Sequence, residues 1–422
     1  MRVLGITLLW LMASVGLAWA QTTNTVAGSE ETVTIPKAEY EGIKAKLADL
    51  ETQLQDLKSR LEETPAVEQV TPESGAAEEP TVIGGSTAAG VPQTLLPDIS
   101  IVGDIVGNFT SDRTKTNRND VVLRGAELVL QGYLYPQIRG DAVVCMGEEH
   151  NHEAVVEECF LSFLQIGNSN LSAILGKRRL DFGKVNKIHP HHRPYVTAPS
   201  ASENFLGDEG LIAEGASLSY LFPGKYFLNL EVGAWRVRSH THLPSDEPMV
   251  EIGPGFDDKL YSARLWGSRE LSDSSELEVG VSGIHGTGLR RPSEETDIRD
   301  SISLLGLDAT YKNWFSAYGR TTVQGEVYAL RREGNTRVGY YGFTGYKWNK
   351  YWELGLRYDW SERPFPLDGR DSGVSFILTN HLTETTHLRL QLSHGSRAGV
   401  GSVNEAFLQA IWGIGPHSHP LE

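Results

Sequence analysis

The amino-acid sequence predicts an all-β protein, a transmembrane antiparallel β-barrel of about 16 strands preceded by a short N-terminal coiled-coil helix. A series of short strand patterns runs from residue 98 to residue 415. Long polar connections such as 186–210 alternate with clipped ones such as 167–170. Within 352–360, one face reads Trp, Leu, Leu, Tyr, Trp and the other reads Glu, Gly, Arg, Asp. Because successive side chains of a strand point to opposite faces, each strand has one apolar and one charged wall.

The turn residues divide this region into individual strands. They are predicted near 98–109, 120–135, 137–146, 155–166, 171–185, 211–222, 225–238, 259–270, 276–286, 302–313, 321–332, 337–348, 351–361, 372–382, 386–395 and 403–413. Aromatic residues gather at the strand ends, as in a membrane-interface belt: Tyr133, Tyr135, Tyr220, Phe222, Trp314, Phe315, Tyr351 and Trp352. A soluble β-sandwich array also alternates, but the strand lengths and aromatic ends favour the barrel. A barrel of this size has room for an aqueous lumen.

The first 97 residues are predicted to hold four segments. Residues 1–20 read as a signal peptide, because Met1-Arg2 precede an apolar run that ends in Ala18-Trp19-Ala20. An N-terminal segment, 21–36, is followed by a coiled-coil helix, 37–62, and a flexible linker, 63–97. The barrel covers 98–415 and a C-terminal tail covers 416–422.

The helix carries an apolar residue at every third or fourth position. The seam consists of Tyr40, Ile43, Leu47, Leu50, Leu54, Leu57 and Leu61. About three heptads are marginal alone, so the seam favours a parallel coiled coil and a homo-oligomer, with a trimer as one possibility. The alternative is a solitary amphipathic helix lying on the barrel or the membrane.

The predicted cellular compartment and the net charge of the chain limit the partners that it can have. A signal peptide and a barrel predict the outer membrane of a Gram-negative-type bacterium, with the coiled coil in the periplasm. The formal net charge of −16 argues against nucleic acid as a partner. A mean hydropathy of −0.28 fits a barrel, which is apolar only at every second residue. The expected partners are outer-membrane lipid and small solutes or ions.

The chain has two cysteines, Cys145 and Cys159, on either side of a predicted hairpin loop. Residues equidistant from the centre of a hairpin face each other, so a cross-strand disulfide is open to them in an oxidising compartment. Two unpaired thiols and a metal–thiolate role are the alternatives.

Strand alternation also predicts which charged residues face the lumen. They are Glu127, Lys177, Arg179, Asp181, Glu231, Arg264, Glu278, Asp308, Glu326, Glu353, Arg357, Asp359 and Arg389. Such residues either rigidify the wall as cross-strand pairs or set the field of a pore, and both roles can hold together. Since both signs of charge are mixed, no sharp ion preference is predicted.

Histidines are concentrated in three successive long loops, each with a His-x-His step. The candidate metal ligands are His150, His152, His189, His191, His192, His240 and His242. Imidazole is a good ligand for zinc, copper or nickel, so zinc is the candidate ion, although no cofactor is expected to be required. Polar loops also tolerate histidine without any metal.

The loop after the fifth predicted strand carries a resemblance to known proteins. It reads GKRRLDFG over 176–183, HPH over 189–191, PYV over 194–196 and FLGDEG over 205–210, before a strand that ends in Leu-Phe-Pro at 221–223. This resembles a family of porin-like bacterial outer-membrane β-barrels, some of which are labelled zinc-regulated outer-membrane receptors. Unlike TonB-dependent receptors, the chain has no plug domain before a 22-stranded barrel. A long loop stiffened by proline could fold inward and narrow the pore.

These observations predict a porin-like channel that passes small hydrophilic solutes or ions by diffusion. A divalent-metal capturing or uptake protein and a structural barrel anchor with a periplasmic tether are the alternatives. Catalysis is not expected: Ser282 and His285 could be cast as a catalytic pair, but no nucleophile motif surrounds any serine.

Overall fold

The computed structural model describes residues 97–115, 118–148, 152–237, 255–293, 296–364 and 367–416. Sixteen antiparallel strands form a closed barrel in which each strand pairs with its sequence neighbours and β1 pairs with β16. The strands are β1 Asp98–Thr110, β2 Asp120–Tyr135, β3 Ile138–Met146, β4 Val155–Phe163, β5 Leu171–Arg179, β6 Ile212–Leu221, β7 Phe227–Val237, β8 Phe256–Ser272, β9 Ser275–Ser293, β10 Thr296–Trp314, β11 Arg320–Arg332, β12 Asn335–Lys347, β13 Trp352–Glu362, β14 Arg370–His381, β15 His387–Arg397 and β16 Gly401–Ile414.

The predicted fold class and the strand count are confirmed. The signal peptide, the coiled-coil helix and nearly all of the linker lie outside the described residues, as does the tail after residue 416. The largest errors in the predicted strand ends are in three strands: β5 ends at Arg179 and not at 185, β9 ends at Ser293 and not at 286, and β10 begins at Thr296 and not at 302. In the described part of the chain, none of the helices has the length and apolarity needed to cross a membrane.

The sequence predicts long connections at one end of the barrel and short ones at the other. The structure follows this pattern only in the first half of the barrel. At the long-loop end, β5 and β6 are separated by residues 180–211, whereas β11 and β12 are joined by Glu333 and Gly334 alone. Both turn residues have positive φ, 48° and 79°. This is the type I′ geometry whose twist matches that of the strands, so a two-residue hairpin suffices there.

The outer wall is apolar, as the alternation predicts. Ile101, Leu305 and Leu356 are 43, 63 and 56 % exposed although they lie in the middle of strands. Their neighbours in sequence point inward and are buried, as Arg357 shows at 3 % exposure. An apolar exterior around a charged interior is the arrangement that lipid requires of a barrel.

Aromatic side chains ring the short-turn end of the outer wall. Exposed members are Tyr133, Tyr135, Phe222, Tyr226, Phe315, Tyr318, Trp348, Tyr351 and Trp352. Several stack on one another, for example Phe315 on Tyr346 with ring centroids 5.3 Å apart. Because aromatic rings favour the headgroup region, this belt marks one boundary of the apolar band.

The predicted disulfide is wrong. Cys145 pairs with Val155 across β3 and β4, whereas Cys159 pairs with Ala142. The thiol of Cys145 is buried on the lumen side and Cys159 is exposed on the outer wall, so no disulfide joins these two described residues. Even in the register of residues 138–143, before the shift between Val143 and Val144, Cys145 would face Val156 and not Cys159.

Candidate functional site

The site is the lumen, and the segment 180–211, here called the inward loop, lies inside it. Asn186, which is fully buried, lies between the two ends of this loop. The Asn186 side-chain amide donates to the carbonyls of Leu180 at 2.8 Å and Leu211 at 3.2 Å, and its oxygen accepts from the Leu211 backbone N–H at 2.6 Å. One side chain therefore ties together the two ends of the loop.

Apolar packing holds the middle of the inward loop against the wall. The loop contains a short helix, α1 (Ser200–Leu206), which packs against β11, β12 and β13. Phe205 of α1 and Phe182 both contact Tyr328 of β11, with ring centroids 6.5 and 5.7 Å apart. The full cluster is Leu180, Phe182, Ala201, Phe205, Leu206, Leu211, Ala213, Trp235, Val237, Phe256, Leu260, Ile284, Ile302, Leu304, Tyr328 and Leu330. This part of the lumen is therefore an apolar core and not a water-filled space.

A second set of contacts fixes the loop to the wall through polar groups. The Arg357 guanidinium donates to the carbonyl of Thr197 at 2.5 Å and to its hydroxyl at 3.0 Å, and it lies 4.3 Å from the centre of the Tyr195 ring. The backbone N–H of Val196 donates to the side-chain oxygen of Gln391 at 2.7 Å. Arg124 donates to the carbonyl of Val196 at 2.6 Å. Strands β2, β13 and β15 therefore all hold residues 195–197.

Close backbone approach fixes the first turn of the loop. Gly183 has φ of +60°, and a Cβ there would lie 1.9 Å from Oε2 of Glu326. The next residues are bound as well, since Lys184 pairs with Glu278 and the N–H of Val185 donates to Glu326 at 2.9 Å. Burial and the neighbouring Lys187 lower the pKa of Lys184 to about 8. Only glycine fits at 183, because a side chain would meet both the unfavourable φ and the carboxylate.

Two loop histidines lie against an acidic part of the wall. His189 Nε2 is 3.0 Å from Oε2 of Glu158, and its Nδ1 is 3.3 Å from Oε2 of Glu127 and 3.6 Å from Oε2 of Glu157. His191 Nδ1 is 3.1 Å from the other oxygen of Glu127. Burial by itself lowers the pKa of His189, but the Glu127 and Glu158 carboxylates outweigh it and hold that pKa at about 8. Both histidines are buried.

The structure places almost every predicted lumen residue inside the barrel. Glu127, Arg179, Glu231, Arg264, Asp308, Glu326, Arg357, Asp359 and Arg389 are buried, and Asp181, Glu278 and Glu353 also form ion pairs within the lumen. Most are neutralised by neighbours, as Arg264 is by Asp308 at 2.9 Å and by Asp181 at 3.3 Å. The lumen-facing residues therefore do form cross-strand ion pairs, which is the structural role considered above.

Lys177 is the exception, and its prediction was wrong. It pairs with Cys159 on the outer side of β5, and its ammonium donates to the carbonyl of Val156. Arg178 faces the lumen in its place and lies 3.6 Å from Glu231. Arg179 also points inward because the strand ends there and the chain turns into the barrel, so alternation cannot be extended past it.

Charged side chains also line the lumen towards the short-turn end, beyond the inward loop. Arg139 pairs with Asp141 at 2.8 Å near the start of β3. His381 and His387 flank the turn between β14 and β15, with their Nδ1 atoms 2.8 Å apart, and His381 lies 3.4 Å from Glu353. This end of the lumen is polar and mixed in charge, as alternation predicts.

The seven predicted metal-ligand histidines do not form one group at the mouth of the barrel. His189, His191 and His192 belong to the inward loop, whereas His152 is exposed and lies 3.3 Å from Glu148 in its own loop. His150, His240 and His242 lie outside the described residues. The catalytic pairing is also separated: Ser282 is buried in the lumen, where it accepts from Gly183, whereas His285 is exposed on the outer face.

Sequence reasoning missed two features of the site. Glu157 and Glu158 both point inward because the irregularity between β3 and β4 breaks the alternation. The apolar inner face of β10 and β11 was also missed, although the sequence carried a signal for it. In β10, inward Ile302 and Leu304 alternate with outward Leu305 and Leu307, and a strand that is apolar on both faces is covered on both.

Comparison with solved structures agrees with this geometry. OprB of Pseudomonas putida has a TM-score of 0.52 at 9 % identity, covering 75 % of this chain and 94 % of the other. The outer membrane channel DcaP of Acinetobacter baumannii scores 0.51 at 12 % identity, covering 78 and 100 %. An anion-selective porin from Comamonas acidovorans scores 0.50 at 11 % identity, covering 75 and 99 %.

Sequence comparison adds one relative. An uncharacterized protein of Aquifex aeolicus (strain VF5) is 26 % identical over 281 residues, which is 58 % of this chain. The chain spans 59 % of that relative's length. No family model matches the chain. The closed barrel of 16 strands is the fold that the chain shares with outer-membrane porins.

Proposed function

We propose that this protein is a porin-like channel of the bacterial outer membrane, through which small hydrophilic solutes or ions diffuse. The observation that carries the proposal is the barrel wall, apolar outside and charged inside, with a long loop folded into its lumen. Barrels of this size enclose enough space for a water-filled path. The mixed charges of the inner wall favour a general path over one that selects ions sharply by sign.

The inward loop is the element that restricts passage. It contacts strands from β2 to β15 and is held by buried polar groups at each contact, so it narrows the path that the wall alone would leave open. Solutes would pass beside the loop and then through the charged region near Arg139 and Glu353. The narrowing would limit the size of the solute.

The even number of strands supports the proposed orientation. Both ends of the barrel region lie at the short-turn end, because the strand number is even. We place this end in the periplasm and the long loops outside, with the 37–62 helix in the periplasm as the coiled coil of a homo-oligomer. No catalytic role is part of the proposal.

Conductance tests the proposal directly. The purified full-length protein is reconstituted into planar bilayers, and single-channel conductance is compared with that of a variant in which residues 184–206 are replaced by a short Gly-Ser link. A small conductance is expected for the wild type and a several-fold larger one for the variant, because deletion clears the lumen. A variant shortened within 241–252, in another long loop, is the matched control. If neither the wild type nor the deletion variant conducts, the barrel is a closed anchor and the channel proposal fails.

Metal capture by the outer loops is the second candidate function. One observation favours metal binding, but at a different place from the outer loops. Two of the predicted histidines contact buried carboxylates that lie near a thiol, but inside the lumen and not at the mouth.

A further inference from the structure

Three buried side chains of the inner wall offer metal-ligand atoms at one point. Glu127 of β2, Cys145 of β3 and Glu157 of β4 present two carboxylate oxygens and a sulfur that all lie within 4.8 Å of one another. A small cavity of about 10 Å³ adjoins them, lined also by His191 and Arg179. That volume is about enough for one water molecule or one ion, and for no larger solute.

The inward loop brings an imidazole close to two of these three side chains. His189 Nδ1 lies 3.3 Å from Glu127 and 3.6 Å from Glu157. Zinc binds nitrogen and carboxylate oxygen at about 2.0–2.2 Å, so two such ligands in a tetrahedral site are about 3.3–3.5 Å apart. The observed separations therefore already suit a shared ion. The Cys145 sulfur, which lies within 4.8 Å of the two carboxylates, would have to move closer for all four groups to bind one ion.

The other nitrogen of His189 has the partner that a metal-bound imidazole needs. Nε2 lies 3.0 Å from Oε2 of Glu158, which is buried and can accept the Nε2–H. Histidines that bind metal through one nitrogen usually donate the other N–H to a carboxylate, which fixes the ring and strengthens the ligand. Glu158 is thus a positioning residue, and Nδ1 is the atom that faces Glu127 and Glu157.

A divalent ion would offset most of the negative charge. Glu127, Glu157, Glu158 and a Cys145 thiolate contribute four negative charges, while the ion and the Arg179 guanidinium, which pairs with Glu157, contribute three positive ones. Asp104, also beside the cavity, is already paired with Arg124. A donor set of nitrogen, oxygen and sulfur suits a borderline transition metal such as zinc better than calcium or magnesium, which prefer oxygen alone.

We propose that Glu127, Cys145, Glu157 and His189 bind one divalent transition-metal ion of the zinc class, which ties the inward loop to the β2–β4 wall. Three ligands come from the wall and one from the loop, so the ion would be a cross-link inside the lumen. It would add to the contacts of Asn186, Arg357 and Gln391 that already hold the loop. Ion pairing of His189 with the carboxylates, without any metal, is the competing explanation.

Zinc binding to the intact barrel tests the proposal. The full-length protein in detergent is stripped with EDTA, then titrated with ZnCl₂ by calorimetry, and the bound metal is counted by mass spectrometry. We expect one tight site per barrel. Glu127→Gln, Cys145→Ser, Glu157→Gln and His189→Gln should each weaken it by at least 10-fold, and Glu158→Gln by about 10- to 100-fold. Circular dichroism of each variant checks that the barrel is folded.

Two further measurements identify the ligands. Cobalt(II) in place of zinc should give a thiolate-to-metal charge-transfer band that Cys145→Ser removes and the matched control Cys159→Ser, on the outer wall, retains. His152→Ala, at the exposed long-loop end, should leave zinc affinity unchanged.

Three results would overturn the proposal. They are no zinc binding by the wild type, binding that persists unchanged in the folded Glu127 and His189 variants, and binding that only loss of His150, His152, His240 and His242 abolishes. The last result would place the metal at the mouth of the barrel. Because these readouts measure binding, they are independent of whether the barrel conducts.

Discussion

The docking of the inward loop can be tested through one aromatic side chain. Phe205 is fully buried between α1 and the wall, edge-on to Tyr328. Truncation of a fully buried Phe to Ala typically costs about 3–5 kcal/mol. Since the ring contacts the wall only when the loop is docked, we expect Phe205→Ala to reduce the docking free energy by about that amount. At about 1.4 kcal/mol for each factor of ten, the undocked population rises roughly 140- to 3700-fold.

Hydrogen–deuterium exchange of the loop measures this change. The N–H groups of Val185 and Val196 bind wall side chains, so they exchange when the loop undocks. Their exchange should accelerate by roughly the factor given above, while exchange of the barrel strands stays slow. Phe376→Ala, the same truncation at an outward-facing position of β14 that is 41 % exposed, is the matched control. If both variants changed loop exchange equally, or neither did, the ring would not hold the loop.

Three further predictions concern the lipid-facing side of β13, the backbone at Gly183 and the pH dependence of loop docking. Leu356→Arg, at an outward position in the middle of β13, should lower the unfolding free energy by about 2–4 kcal/mol in urea titrations in lipid, whereas Leu356→Phe, which keeps an apolar side chain at that position, should not; equal folding defects would contradict the assigned faces. Gly183→Ala should accelerate exchange of the loop because its Cβ would meet Glu326, and Gly334→Ala, in an open turn, should not. Burial raises the pKa of Glu203 from 4.5 to about 7, helped by Asp208 and opposed by Arg397, Arg357 and Lys115. The docked loop therefore binds the proton more tightly, and docking should be strongest below pH 4.5 and weaken as pH rises to about 7. The readout is the protection factor, which removes the intrinsic pH dependence of amide exchange. A protection factor of the loop that is independent of pH in the wild type, or as dependent on pH in Glu203→Gln, would refute this.

The barrel could be predicted from the sequence because the pattern that indicates it lies within each single strand. Alternation has a period of two, so Leu356 and Arg357 are assigned to opposite faces without knowledge of any partner strand. The same rule failed where a strand stopped or was irregular. Lys177 was misplaced next to the end of β5, and Glu157 was missed beside the shift at Val143.

The sequence by itself determined that a barrel of 16 strands forms, which side chains face lipid, and that a long histidine-containing loop follows β5. Only the tertiary structure decided that this loop lies inside the lumen and that an apolar core forms there. It also decided that Glu127, Cys145 and Glu157 lie together and that His189 contacts the two carboxylates. The reason is physical: these four residues come from three strands and a loop, and their distances depend on strand register and on packing across the barrel. Neither of these is encoded in the alternation of a single strand.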